Sequence, residues 1–315
     1  MITHYFALYF SACLSHMQSM PNEPKIQSHA SHAATPQVFS PQKRKLAQAR
    51  AYKRRAKLES SQFLFERIAQ DMADRISMIN RQFTSALLIA PDGFRPQLNA
   101  YIPADKRPQT WLSTPLEQLG PRLKNQGGFD LVLMVFSHHN ENDPVGLFKA
   151  LKPYMVADAH LLTVCLGGES LTELRQAFYT VDQDHFGGVI PRIHPMIALQ
   201  ENVQILASSG FNLTSGDRDR VSVNYRKLST LISDLRNMGE TYKLVTAQPV
   251  RTTRIFWKDV EETLRQPNEK IPITYDILWA CGWTPHESQQ KPLKPGSAKT
   301  HMSKAFSKKN SRHTS

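Results

Sequence analysis

With 315 residues, 40% of them hydrophobic, the chain is long enough for one large domain with appendages and has the composition of a globular protein. Its formal charge of +12 suits a nucleic acid or acidic membrane partner, but residues 43–57 hold eight basic residues and residues 291–315 seven, both without an acid, leaving 24 basic against 27 acidic elsewhere. Cys13, Cys165 and Cys281 lack Cys-x-x-Cys spacing, which argues against a disulfide framework or zinc site and fits a reducing compartment; no run reaches the roughly eighteen apolar residues of a membrane span.

The apolar stretch Tyr5–Leu14 has no preceding Lys or Arg, and residues 1–42 contain no arginine, so neither a secretory nor a mitochondrial leader is expected. Residues 1–37 read as disordered or as a mis-called start ahead of Met17 or Met20. Gln42–Leu58 is rich in strong helix formers and predicts a basic, exposed helix. Phe63, Leu64, Ile68, Met72, Ile76 and Ile79 recur at helical spacing and predict a second helix with an apolar face.

Ala86–Ala90 predicts a buried strand, and four prolines between Pro91 and Pro108 predict that no regular helix follows it. Gln109–Ser113 reads as a short strand and Pro115–Leu123 as helical turns; Leu131–Phe136 is the clearest buried parallel strand. Val145–Leu151 is a helix, His160–Cys165 a strand, and Leu171–Val181 a helix capped by Ser170 with Glu173 in a capping box. Leu199–Ser208 is a helix closed by Gly210. Phe211–Ser215 and Arg220–Tyr225 flank Gly216–Asp219 as a hairpin, and Leu228–Met238 and Thr253–Leu264 are helices. From Lys291 the chain reads as a basic disordered tail. The fold class is therefore α/β, with helices alternating with a central sheet that carries an antiparallel edge.

Several short motifs keep one order: Phe129-Asp-Leu-Val132 with Ser137-His-His-Asn-Glu-Asn-Asp143, Gly167-Gly-Glu-Ser-Leu-Thr-Glu-Leu-Arg175, Pro191-Arg-Ile-His-Pro195 and Ala207-Ser-Ser-Gly-Phe211. Val223-Asn-Tyr225, Leu235-Arg-Asn-Met-Gly-Glu240, Ile273-Thr-Tyr275 and Gly282-Trp-Thr-Pro-His-Glu-Ser288 continue the series. On these residues the chain resembles the methyltransferase-like assembly factors of respiratory complex I, some associated with arginine hydroxylation, and their alphaproteobacterial relatives. That resemblance spans about residues 38–300 and is weakest from 90 to 125.

It implies a Rossmann-type methyltransferase sheet with an antiparallel C-terminal hairpin and part of the first half missing. The implied organisation is N-terminal basic helices over 38–80, a methyltransferase-like domain over 81–226 and its C-terminal helical region over 227–290. The implied cofactor is S-adenosylmethionine, yet Ala90-Pro-Asp-Gly-Phe94 replaces the glycine-rich turn and helix start that would hold it. Asp105, among prolines, does not suit the ribose-binding role of a strand-end acid. Cofactor binding is therefore expected to be reduced or lost, with Asp92, Gly93 and His139 as the remnant cleft.

Gly167, Gly168, Glu169, Arg175, His194, Tyr225, Trp283, His286 and Glu287 are the candidate substrate- or partner-facing residues. Gly167-Gly-Glu169 reads equally as a strand-exit turn. His138 and His139 suit acid–base work by their ordinary titration range, but no motif-linked carboxylate accompanies them, which favours a structural role. Asp182, Asp184 and His185 lie on one loop without a second ligand cluster, so no metal is assigned. Trp279–Glu287 reads either as a helix ending at Gly282 or as a pocket-lining loop.

Three functions compete. One is a methyltransferase-like protein that acts on, or chaperones, a complex I subunit as methyltransferase or arginine hydroxylase. Another is a non-catalytic pseudoenzyme scaffold, and the third a basic nucleic-acid-binding protein. A protein partner is expected rather than nucleic acid, in a bacterial cytoplasm with the basic ends able to touch the inner membrane face.

Overall fold

Ser40 Oγ accepts a hydrogen bond from Lys43 N and starts α1, Pro41–Arg55. The apolar stripe expected next forms α2, Phe63–Met78. The chain then runs through β1 (Ser85–Ile89), α3 (Phe94–Tyr101), β2 (Thr110–Thr114), α4 (Leu119–Leu123) and β3 (Phe129–Val135). It continues as α5 (Pro144–Leu151), β4 (Met155–Leu166), α6 (Thr172–Phe186), α7 (Leu199–Ser208) and β5 (Asn212–Tyr225). Last come α8 (Leu228–Met238), α9 (Arg254–Leu264) and β6 (Ile271–Trp283). This is a computed structural model, and it describes residues 37–56, 63–245, 250–290 and 296–297. The expectations for residues 1–36, and for the 291–315 tail apart from 296–297, lie outside the described residues.

The strands form one sheet in the order β2-β1-β3-β4-β6-β5, parallel from β2 through β4 and antiparallel on both sides of β6. Strand alternation sends Ala86 and Leu88 to one face, with α2, α6, α8 and α9, and Leu87 and Ile89 to the other, with α4, α5 and α7. Each face is thus covered by helices, as a mostly parallel sheet requires. Asp130 fixes the start of β1 beside β3: its carboxylate accepts from Thr84 N and Oγ1 at 2.7 Å each and from Ser85 N at 3.0 Å. The architecture is the expected methyltransferase-like α/β sheet. Among the described residues no helix is long and apolar enough to cross a membrane.

Local expectations change in four places. A helix does follow β1: Gly93, at φ +88°, turns the chain into α3, and Pro96 sits in its first turn, where an N–H has no helical acceptor. Residues 211–225 form no hairpin around Gly216–Asp219; β5 is one 14-residue strand whose antiparallel partner is β6. The helical region 227–290 contains β6, which lies between β4 and β5 and buries Ile271, Ile273, Tyr275, Ile277 and Trp279 on one face. Ser170 does not cap α6, because its hydroxyl is bonded to Asp276 and the cap position belongs to Leu171; Glu173 accepts from Thr274 N and Oγ1 instead.

Candidate functional site

The chain leaves β1 toward β2 and returns to β3 on the other side, which makes the carboxyl ends of β1 and β3 the topological switch point, where ligands of open α/β sheets bind. Here that crevice is closed by side chains. Arg44 of α1 reaches over it, its Nε 2.8 Å from Glu117 Oε1 and its Nη1 3.1 Å from the Asn140 carbonyl, and it also pairs with Glu141. Glu117 follows the end of β2, so the acid nearest that strand end is held by an arginine of the same chain. Phe136 ends β3 in the left-handed region at φ +47° and packs edge-on against Phe65 at 5.7 Å. Arg44, Gln48, Pro91, Glu117 and Phe136 close around a space of about 10 Å³, the limit for one water.

α1 is therefore not the exposed basic helix expected. Arg44, Ala47, Ala51 and Arg55 are buried, and its cations clamp it down. Arg55 donates to the carbonyls of Asn237 and Asp92 at 2.5 and 3.0 Å, Arg54 to Asn237 Oδ1 and Ser233 Oγ, and Lys43 Nζ to the Leu244 carbonyl at 2.6 Å.

Behind the closed crevice lies a buried charged cluster. Lys243 Nζ donates to Glu240 Oε2 at 2.9 Å, and the same oxygen lies 3.3 Å from His139 Nε2 and 3.7 Å from His194 Nε2. Burial alone would push the Glu240 carboxyl up, but Lys243 and His139 hold it well below the usual carboxylate range. Burial lowers the Lys243 ammonium, with Glu240 opposing that fall. Burial also pushes His139 down, against the pull of Glu240, and pushes His138 to about 3, so the His138 ring is neutral at pH 7. His138 Nε2 bonds Asn202 Oδ1 at 2.8 Å, and Asn140 Nδ2 donates to His139 Nε2 at 2.9 Å. The cluster ties the loop after β3 to the loop after α8.

In sequence, several chains align with this one. It is 32% identical over 178 residues to the mitochondrial arginine-hydroxylase NDUFAF5 of Dictyostelium discoideum, covering 55% of this chain and 41% of that protein. The human NDUFAF5 is 32% identical over 173 residues, 54% of this chain and 50% of its own. The malonyl-[acyl-carrier protein] O-methyltransferase of Xylella fastidiosa is 31% identical over 143 residues, 44% of this chain and 45% of its own. In sequence this chain is similar to the NDUFAF5 arginine-hydroxylases over about half of its length. It spans about half or less of the length of these curated relatives. No protein-family model matches it. Among solved structures, the YcgJ protein of Bacillus subtilis aligns over 70% of this chain and 99% of its own, at 10% identity and a TM-score of 0.43.

S-adenosylmethionine does not fit the switch point of this methyltransferase-like chain. Its loop offers one glycine, Gly93, and the crevice, at about 10 Å³, is more than tenfold below the roughly 300 Å³ of the smallest small-molecule sites. None of the residues expected at the remnant cleft lines it. Asp92 and Gly93 are exposed at the start of α3, where Arg55 occupies the Asp92 carbonyl, and His139 is sealed beside Glu240.

The candidate partner-facing residues fall in separate places. His194 joins His139 at Glu240, and Arg175 Nη1 donates to the neighbouring Ile193 carbonyl at 3.3 Å. Gly167 is a packing glycine, since a Cβ there would meet Leu278 at 2.5 Å. Gly168 and Glu169 are exposed, Glu169 Oε2 lying 3.9 Å from Arg220. Tyr225 is buried, its hydroxyl 2.9 Å from that of Tyr275. Trp283, His286 and Glu287 lie at the opposite end of the sheet, because Trp283 ends β6 opposite His160, near the start of β4. They form neither a helix nor part of the switch-point site, and His286 and Glu287 are exposed. Asp182 has both oxygens on Arg192, and His185 Nε2 lies 2.6 Å from Asp259.

Arg44, Glu117, Glu240 and Lys243 were not singled out by sequence reasoning. Glu240 ends a family-like motif, which was the available signal; Arg44 was hidden in a run of like residues.

Proposed function

We propose that this chain works on a protein partner in the assembly of respiratory complex I, as a methyltransferase-like factor without S-adenosylmethionine at its switch point. The observation that carries the reading is the crevice filled by Arg44, Glu117 and Phe136. A fold kept intact around a filled crevice supports a role in recognition rather than methyl transfer. The likeness to the arginine-hydroxylase NDUFAF5 proteins supports the complex I side of the reading. The internal use of Arg44 and Arg55, both buried, disfavours the nucleic-acid alternative, since those two guanidinium groups are committed to protein acceptors.

The test is calorimetry with S-adenosylmethionine and S-adenosylhomocysteine, paired with complex I assembly in a deletion strain. The expected result is no binding below millimolar concentration and an assembly defect rescued by the chain. A low-micromolar dissociation constant would return methyl transfer to first place, and normal assembly in the deletion strain would sever the complex I connection.

A further inference from the structure

Beside the closed switch point lies an open cavity of about 810 Å³, bounded by α1, the start of α6, the 192–196 loop, α8, residues 240–242 and α9. That volume is in the range of small-molecule sites. Leu174, Phe178, Ile232 and Trp257 give it an apolar wall. Arg50, Lys53 and Arg54 lie along one face of α1, at the three- and four-residue spacing of a helix, and Arg236 of α8 joins them in the lining.

Among the described residues, none of these four cations has a carboxylate within ion-pair distance; Arg54 is bonded to the neutral Asn237 and Ser233 side chains. The other cation in the lining, Arg192, is neutralised by Asp182 at 2.6 Å and lies 4.4 Å from the Phe256 ring centre. The lining's one acid, Glu240, is offset by Lys243. Among the described residues four positive charges without a carboxylate partner thus border an apolar cavity, a field that concentrates anions.

We propose that this cavity binds an anionic amphiphile, with its acyl or aromatic body on the apolar wall and a phosphate or carboxylate head held by Arg50, Lys53, Arg54 and Arg236. An arginine-bearing peptide is a poor occupant, because its guanidinium would meet four like charges. The cavity shares no lining residue with the switch-point crevice, so the proposal stands apart from the question of S-adenosylmethionine.

The full chain is titrated with octyl phosphate, octanol and inorganic phosphate by calorimetry, alongside R50E/R236E and, as a control exposed on α5, K149E. Octyl phosphate is expected to bind at least tenfold tighter than either other probe. The double variant should lose at least tenfold and K149E should not; R50Q/R236Q replaces the double variant if melting shows that it misfolds. Sedimentation with phosphatidylglycerol against phosphatidylcholine vesicles identifies the source of the head group. Binding to the anionic vesicles that R50E/R236E abolishes assigns a lipid, and octyl phosphate binding without vesicle binding assigns a soluble ligand. No octyl phosphate binding, equal binding of octanol, or binding unchanged in the double variant would overturn the proposal.

Discussion

Arg44 and Glu117 meet across the switch point with Nε 2.8 Å from Oε1, their side chains 11% and 12% exposed. The pair joins α1 to the end of β2, and the same guanidinium reaches Glu141 and the Asn140 carbonyl beyond β3. One side chain of the N-terminal helix therefore bridges the loops that a ligand would otherwise separate.

Arg44→Met should leave Glu117 and Glu141 without their cation. Burial already pushes the Glu141 carboxyl up despite Arg44 beside it. Removing one member of a largely buried ion pair costs about 3 kcal/mol, measurable by urea unfolding. The triple change R44M/E117L/E141L should recover much of the loss, since it removes the stranded charges together. A loss below about 0.5 kcal/mol for R44M, the usual limit for surface changes, would mean that Arg44 does not hold the crevice shut.

Lys243→Met should be more damaging than any substitution of an exposed lysine, since both Lys243 and Glu240 are buried. The stranded Glu240 carboxylate should cost on the order of 3–5 kcal/mol. In K243M/E240L the cost should fall below that of K243M alone. Equal losses for single and double variants, by denaturant midpoint, would show that Lys243 acts by packing rather than by charge.

Stability should fall as the solution is acidified. Burial lowers His138 from 6.5 to about 3, His160 to about 4 and His139 in the same direction. A folded-state value below the unfolded one means the neutral ring is favoured in the native state. That stability is complete above about pH 6.5 and drains as pH falls toward the folded values, by about 1.4 kcal/mol per pH unit per ring. Glu240, also held low, contributes above the ordinary carboxylate range and is lost at still lower pH. Unfolding curves at pH 7, 6 and 5 should therefore shift steadily downward, and H138Q should flatten the slope. A flat profile in the parent would contradict the burial of these rings.

The helices legible from the sequence were those whose period and punctuation agree: α7 matches the expected Leu199–Ser208, and α8 the expected Leu228–Met238 closed by Gly239. Ile271, Ile273, Tyr275, Ile277 and Trp279 alternate along β6, but the dense polar–aromatic spelling of 279–287 reads equally as a helix end or a loop and hides the strand. α3 is hidden by its prolines, which break a helix only in its interior, whereas Pro96 sits in the first turn, where no helical N–H is needed. The filled crevice could not be read at all. It depends on Arg44 lying beside Glu117 across 73 residues of sequence, a pairing that no local pattern encodes.

Placement also reverses the priority of the Gly282–Ser288 motif. Trp283 lies with its ring centre 4.4 Å from that of His160, and burial pushes that histidine to about 4. Trp283→Ala should cost about 2 kcal/mol, below the core range because the indole is only half-buried. It should also let water reach His160, raising its titration toward 6.5, which NMR of the imidazole protons reads directly. His286 and Glu287 are exposed, and His286 Nδ1 is bonded to its neighbour Ser288. H286A/E287A should therefore stay within about 0.5 kcal/mol of the parent. Because these residues sit at the far end of the sheet, the double variant should also leave octyl phosphate affinity unchanged. A stability-neutral H286A/E287A that nevertheless blocks complex I assembly would show that this end of the sheet carries a partner surface. Normal assembly with the same variant would leave Trp283 and its contact with His160 as the motif's whole role.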